Sequence, residues 1–428
     1  MAQYTDPAAL DGLFKEVYGD DVISLVPDSA KLVKSIGFVS ADKELGNKYH
    51  QPVILSNEHG ITYAAADAGA FALNNSVALT MKDAQVQGSQ MVLRSSMSYD
   101  AAARASNSKK AFVKGTELLV ENMLETMTKR LELQLLYGGS SGGLGHCDSS
   151  ANVNSTSTKI TLTAASWAAG IWAGAENSFV EFYDDTTKRG TGTFYISAVD
   201  LDNKAITVVA SLADDIDDGG SAGLDKWIAA DSDDSLRILW KGAYGAEMSG
   251  VDKIITNSGA LFGINAGTYN LWKGNSYAVG AALAIGKVLA GVSRAVERGL
   301  DEDVSCYINP LVWKDLNSDL AGLRRFDSSF KEKGVAGNKS IQYHGQNGII
   351  DIVAHNCVKQ SEGFIFPTKK AKRIGAVDIT FKRPGGGGDQ MFRELSNNAG
   401  FELRSYTDQA VFIETPARCV KLTGITVS

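Results

Sequence analysis

The sequence predicts an α+β fold in which one long helix joins an extended arm to a strand-rich body. Three observations carry this. Ser106 to Tyr137 holds no proline and one glycine, Gly115, and Leu119, Met123, Met127, Leu131 and Leu135 recur every four residues in it, with Val120 and Leu124 widening the stripe. Before it, from about Tyr49 to Tyr99, apolar and polar residues alternate at the two-residue period of a strand. After it, helix and strand patterns follow one another with no βαβ repeat.

Taken in order, residues 1–48 read as a poorly packed N-terminal arm. Leu10, Leu13, Phe14 and Val17 make an amphipathic turn or two, and Val22 to Val26 is a short apolar run before Pro27. Residues 49–99 read as a long β-hairpin. Val77, Leu79 and Met81 face one way, Ala78, Thr80 and Lys82 the other, and Met91 and Leu93 repeat the pattern beyond Gly88. Asn57 to Gly60 is turn-rich, and Ala64 to Ala72 makes a loose tip of small residues. A lone hairpin buries little of itself, so it calls for a partner. The long helix then starts with Ser106 or Ser108 as cap and stops at Gly138-Gly139. Lys114, Glu117, Glu121, Glu125, Lys129 and Glu132 are expected on its solvent face, with Glu125 and Lys129 a favourable i,i+4 pair.

Gly138 to Gly145 reads as a flexible connector. Residues 146–236 lose helical periodicity and read as a small inserted β-domain. Phe179 to Tyr183 suggests a strand, and Thr193 to Val199 with Ala205 to Ala210 a hairpin. Trp167, Trp172, Phe179, Phe182 and Phe194 are expected to form its core, and Asp214 to Asp218 and Asp231 to Asp234 to be solvated acidic loops. In residues 237–368, Tyr277 to Arg298 reads as a helix stopped at Gly299, Ser305 to Asn309 as a strand, Pro310 to about Leu320 as a helix, and Gly348 to Ala354 as a buried strand. Residues 369–428 return to strands at Val377 to Lys382, Phe401 to Ser405, Ala410 to Glu414 and Val420 to Val427, with Gly385 to Gly388 in a loop.

Length and composition bound the function. A chain of 428 residues accommodates two or three domains with real cores. The net charge of -7 argues against a protein that coats nucleic acid electrostatically, but not against a container whose inner wall faces DNA without gripping it. No apolar run approaches the roughly 20 residues that span a bilayer, and Met1 to Leu10 lacks the features of a secretory signal. Cys147, Cys306, Cys357 and Cys419 are scattered and form no CxxC, the pattern of reduced thiols in a protein made in the cytoplasm.

No chemical site emerges. His355 and Cys357 stand two apart at the end of a buried strand and read as packed residues rather than a nucleophile pair, which needs a reachable pocket and an orienting third group. His146-Cys147 has no second pair at metal-ligand spacing. Asp214 to Asp218 fails the calcium-loop pattern, since Ile216 and Asp225 fall where ligands are required. The glycine connector lacks the Gly-Lys-Ser/Thr ending of a phosphate loop. Catalytic, cofactor-binding and metal-binding residues are therefore expected to be none.

The C-terminal third carries a family likeness. Asn309-Pro310-Leu311-Val312-Trp313, then Gly348 to His355, then Arg373-Ile374-Gly375, then Phe401 to Ala410 resemble the tailed-bacteriophage major capsid proteins in order and spacing. The resemblance implies the Hong Kong 97-type fold. In it residues 1–48 are the N-arm, 49–99 the E-loop, 100–145 the spine helix and peripheral (P) domain, 237–368 the axial (A) domain, and 369–428 the C-terminal P-domain strands. Residues 146–236 are extra to the minimal fold. The implied protein is a non-enzymatic shell subunit that self-assembles into pentamers and hexamers of an icosahedral head. It encloses double-stranded DNA without sequence-specific contacts, is found in the virion, and is assembled in the host cytoplasm with no membrane involved. A portal protein is an implied partner, and the absence of a long charged helical segment before the N-arm implies either a separate scaffolding protein or such a segment outside these 428 residues; whether a decoration protein binds is left open. Some relatives join E-loop lysine to a neighbour's asparagine. Lys82, Asn397 and Asn398 are the candidates here, with no full Lys, Asn and Glu set to align. Set against this are an encapsulin-like cellular nanocompartment of the same fold and, in a different class, a β-rich hydrolase or surface adhesin. The inserted β-domain and the lack of a cargo-binding signature weigh against the first. The lack of a convergent polar constellation weighs against the second.

Overall fold

The computed structural model describes residues 30–40, 48–98, 109–216, 223–230, 236–317, 341–382, 392–395 and 400–427. The helix over Lys109–Tyr137 crosses the molecule. Met123, Met127, Leu131 and Leu135 are buried along it as the four-residue recurrence requires, while Leu124 is exposed. The proposed caps at Ser106 and Ser108 lie outside the described residues. Glu132, expected on the solvent face, is fully buried. The last two turns, Leu131 to Tyr137, are apolar on nearly every side, so they have no solvent face to offer.

The arm is shorter than the alternating pattern suggests. Tyr49–Ser56 pairs antiparallel with Thr80–Val86, and the ends of the intervening segment are closed by a bridge between His59 and Val77. Asn74 donates to the Thr62 hydroxyl and the Ile61 carbonyl, so the tip has internal hydrogen bonds of its own. Ser89–Ser98, with Met91 and Leu93, leaves the arm and pairs along Gly400–Ile413 in the body. Alternation is common to any half-buried strand, so it does not say which partner a strand takes. The segments expected at Phe401 to Ser405 and Ala410 to Glu414 are parts of that one strand. Ala371–Thr380 lies on its other side, and Phe38–Ser40 joins Ala371–Thr380 in parallel.

Residues 145–240 close into a six-stranded barrel built from Gly145–Asn154, Ser157–Leu162, Ala205–Ala210, Thr187–Asp200, Phe179–Asp184 and Leu236–Trp240. Trp167, Trp172, Phe182 and Phe194 are buried there as expected, whereas Phe179 is 51% exposed. The barrel does not pack by itself. Trp172 lies 6.1 Å from Trp240, whose ring carries the Arg130 guanidinium of the long helix at 3.3 Å. Barrel and long helix share one hydrophobic core. Asp215 of the expected acidic loop is buried and accepts the Thr191 and Gly192 amides at 3.0 and 2.6 Å. Asp217, Asp218 and Asp231 to Asp234 lie outside the described residues.

A second core forms around a mixed six-stranded sheet in the order Asn275–Ala278, Val420–Thr423, Gly363–Phe366, Val304–Ile308, Ile349–Ala354, Ile341–His344. The helix expected from Tyr277 runs only over Ile285–Val296. Tyr277 itself belongs to an edge strand paired in parallel with Leu422, and the left-handed Gly280 separates strand from helix.

The glycine connector is a tight junction, not a flexible one. A Cβ on Gly138 would stand 2.3 Å from the Met248 carbonyl, and one on Gly250 would stand 2.6 Å from the Gln134 carbonyl. Glycine permits this close crossing of backbones.

Candidate assembly surface

Two buried polar clusters hold the body rigid. In the first, the Glu132 carboxylate accepts the Leu32 and Val33 amides at 2.7 and 2.8 Å, and His355 Nε2 stands 2.6 Å from Glu132 Oε1. The two amides are first-turn donors of the short helix Lys31–Ser35 and have no acceptor within it. His355 Nδ1 accepts the Cys357 amide at 3.1 Å, which leaves the proton on Nε2 for Glu132. The cluster ties the N-terminal segment, the long helix and the end of strand Ile349–Ala354 to one carboxylate.

In the second, Lys359 donates from Nζ to the Gly142 and Gly143 carbonyls at 3.1 and 3.0 Å, and its amide donates to the Tyr137 hydroxyl at 2.9 Å. Burial pulls the Lys359 ammonium below its ordinary range, against the pull of Glu362 and Asp252, and pushes the Tyr137 phenol up. Lys421 stands 2.5 Å from Asp252 and 2.9 Å from Glu362. Burial opposes its charge, and the two carboxylates outweigh that and raise its pKa. Ser140 donates to the same Asp252. The glycine junction is thus locked by charge-assisted bonds to carbonyls that no secondary structure satisfies.

Most side chains of these clusters are buried. His355 and Cys357 are both buried. The four cysteines are buried, and burial raises the Cys306 thiol to about 12 and moves Cys419 upward too. Among the described residues no group of three or more His, Cys, Asp and Glu is arranged to hold a metal, and no helix is long and apolar enough to cross a membrane. Lys82 is exposed on the arm, and Asn397 and Asn398 lie outside the described residues.

The surface that asks for a partner is the arm. At its base, Tyr49 packs edge-on against Phe412 at 6.2 Å, and the Gln85 amide donates to the Phe262 carbonyl at 2.8 Å. Beyond the base the apolar residues are uncovered among the described residues. Ile54, Ile61, Phe71, Val77 and Met81 are exposed, Tyr63 is 88% exposed and Leu73 78%. Large apolar residues exposed together on one projecting element are the kind of feature that marks an interaction surface. Strands of seven and eight residues carry the tip about 25 Å from the base at ~3.3 Å per residue.

Sequence reasoning found the arm but not Glu132, Lys359 or Arg130. A signal for Glu132 existed in the leucines on both sides of it. None pointed to Lys359, whose partners are backbone carbonyls 216 and 217 residues away.

The described residues form an α+β body with a long helix and a projecting arm that carries exposed apolar residues. The fold is that of phage capsid subunits. The chain superposes on a protein described as the cyanophage A-1(L) capsid asymmetric unit with a TM-score of 0.54 at 11% identity, covering 97% of this chain and 98% of that one. It superposes on the capsid of a native GTA particle, computed with C5 symmetry, with a TM-score of 0.51 at 7% identity and full coverage of both chains. The capsid of the empty GTA particle gives 0.51 at 8% identity, over 98% of this chain and 99% of that one. No family model matches the chain, and no curated protein matches it.

Proposed function

We propose that this chain is the major capsid protein of a tailed bacteriophage, a shell subunit that assembles into pentamers and hexamers of an icosahedral head around double-stranded DNA. The observation that carries the reading is the arm, a projecting hairpin whose apolar residues its own subunit leaves uncovered, on a body sharing its fold end to end with phage capsid subunits. A neighbouring copy is the partner that such an arm fits. On the Hong Kong 97-type layout, residues 1–48 are the N-arm, 49–99 the E-loop region, 100–145 the spine helix and P domain, 237–368 the A domain and 369–428 the closing P-domain strands. Residues 146–236, most of the barrel, are an insertion. The work is interface burial repeated over many copies, each contact modest, with no catalytic step.

A separate scaffolding protein and a portal complete the particle, which forms in the host cytoplasm. The DNA is confined rather than gripped, as the net charge of -7 suits. Negative-stain electron microscopy of the purified protein, alone and co-expressed with candidate scaffolding proteins, tests the reading. Closed shells are expected, the form that a subunit interface repeated with closed symmetry gives. Monomers or small rings under every such condition would overturn it.

A further inference from the structure

Three side chains of the second buried cluster stand within reach of one another from three separate elements. Lys421 lies on the closing strand Val420–Thr423, Asp252 in the first turn of the short helix Val251–Thr256, and Glu362 just before strand Gly363–Phe366. Lys421 Nζ stands 2.5 Å from Asp252 Oδ1 and 2.9 Å from Glu362 Oε1, so one amine faces two carboxyl groups. Strand pairing fixes it there, since Phe364 and Lys421 are opposite residues of the sheet.

The surroundings are apolar. Asp252, Lys421, Phe364 and Tyr137 are all buried. Lys421 Nζ lies 5.8 Å from the centre of the Phe364 ring, and Tyr137 packs edge-on against Phe364 at 5.9 Å. Ser140 donates to Asp252 Oδ2, the carboxylate oxygen on the side away from the Lys421 bond. Glu362 Oε2 is buried and has no hydrogen-bond partner among the described residues, which leaves it open to a proton. A buried ion pair is costly to keep, and a reaction that removes both charges removes that cost. Groups held in contact by a folded chain also react as if at very high concentration.

We propose that Lys421 Nζ and Asp252 Cγ condense into an isopeptide bond within the subunit, with Glu362 as the proton carrier. Burial opposes the Lys421 charge and the two carboxylates sustain it, so the resting group is an ammonium. It passes one proton to Asp252 Oδ1, which exchanges the ion pair for a neutral amine and a neutral acid. The nitrogen lone pair then attacks Cγ, and the negative charge that develops on Oδ2 is held by the Ser140 hydroxyl. Glu362 takes a proton from that nitrogen and gives it to Oδ1, which leaves as water when the Cγ–Oδ1 bond breaks. Glu362 ends as the carboxylate it began as, one water is released, and nothing is oxidised or reduced.

The bond would join residues 169 apart in the chain and tie the first hydrophobic core, at helix Val251–Thr256, to the second, at strand Val420–Thr423. Closing a loop of that length restricts the unfolded chain as a disulfide does. All three groups belong to one chain, so no neighbouring copy takes part and the inference stands apart from the shell reading.

Mass spectrometry of the denatured full-length protein tests it. The intact chain is expected to lack the mass of one water. Trypsin should release a branched peptide joining residues 242–253 to residues 419–428, with the branch between Asp252 and Lys421 on fragmentation. Full mass, with those two peptides released separately, would overturn the proposal. Lys421→Arg is expected to keep the charge and restore full mass in every chain. The same loss of water in that variant would place it elsewhere and overturn the assignment. Glu362→Gln should leave most chains unlinked, and complete linkage there would overturn Glu362 as the carrier. The branched peptide of the parent protein decides the bond itself even where a variant fails to fold.

Discussion

A carboxylate with no exposure must be fully partnered, and Glu132 is: two amides of the Lys31–Ser35 helix and His355 converge on it. Removing it leaves three buried groups unmet, which is far worse than never having built the cluster. Glu132→Ala is expected to lower stability by about 3–5 kcal/mol, and Glu132→Gln by less. Urea denaturation of the isolated subunit measures this, and a loss under ~1 kcal/mol for the alanine variant would mean that water replaces the carboxylate freely. Glu247 is the opposite case, a carboxylate held where its charge is unwelcome. Burial raises its pKa from 4.5 to about 7, despite an amide bond from Gly139, the nearby Arg130 charge and a bond from Gln134. The native state therefore binds a proton there that the unfolded chain releases at lower pH. Its contribution to stability is greatest on the acid side and falls as pH rises from 4.5 to about 7, by at most about 3 kcal/mol at ~1.4 kcal/mol per pH unit. Glu247→Gln should flatten that slope and raise the melting temperature at pH 8 relative to pH 5. Equal slopes for parent and variant would place Glu247 in contact with water.

At the scale of elements, the long helix shows what periodicity can and cannot tell. The stripe Met123, Met127, Leu131, Leu135 was legible because a helix crossing a core repeats its contacts every turn. Its buried charges were not legible, because Glu132, Lys129 and Arg130 are held by partners at unrelated positions in the chain. Lys129 donates to Ala173, and burial lowers its pKa. For the same reason the glycine connector read as flexible. Composition reports conformational freedom, while Lys359 and the Met248 carbonyl, distant in sequence, remove it. The arm was legible as alternation but not in its extent, since Met91 and Leu93 alternate equally well against Gly400–Ile413. Adjacent helix positions give a sharp test of the face. Met123 is buried and Leu124 exposed. Met123→Asp is expected to cost roughly 3–5 kcal/mol through an unpaired buried charge and to yield insoluble protein, while Leu124→Asp stays soluble. The reverse solubility pattern would rotate the helix by a third of a turn.

At the scale of the whole molecule, the proposed shell reading turns on the barrel, which would set how a subunit is oriented. Closure removes the barrel's free sheet edges, so contacts to a neighbouring copy would have to go through its side chains. It shares a core with the long helix, so its orientation follows that helix rather than swinging on a linker. Its surface exposes Asp148 on a strand and Asp185, Asp202 and Asp214 in its turns. Packed DNA would repel these carboxylates, and a wall close-packed against neighbours has no space for such a body on its inner side. The barrel is therefore expected to stand on the outer face. The turn between Thr187–Asp200 and Ala205–Ala210 is exposed at Leu201 to Asn203 and stabilised by Asp200, which accepts the Asn203 amide at 3.0 Å. A short epitope inserted after Asp202 lengthens a surface turn and leaves the barrel strands intact. Antibody should decorate intact particles carrying it to the same extent as disrupted ones. Labelling confined to disrupted particles would turn the subunit over and place the barrel, with its acidic turns, against the packaged DNA.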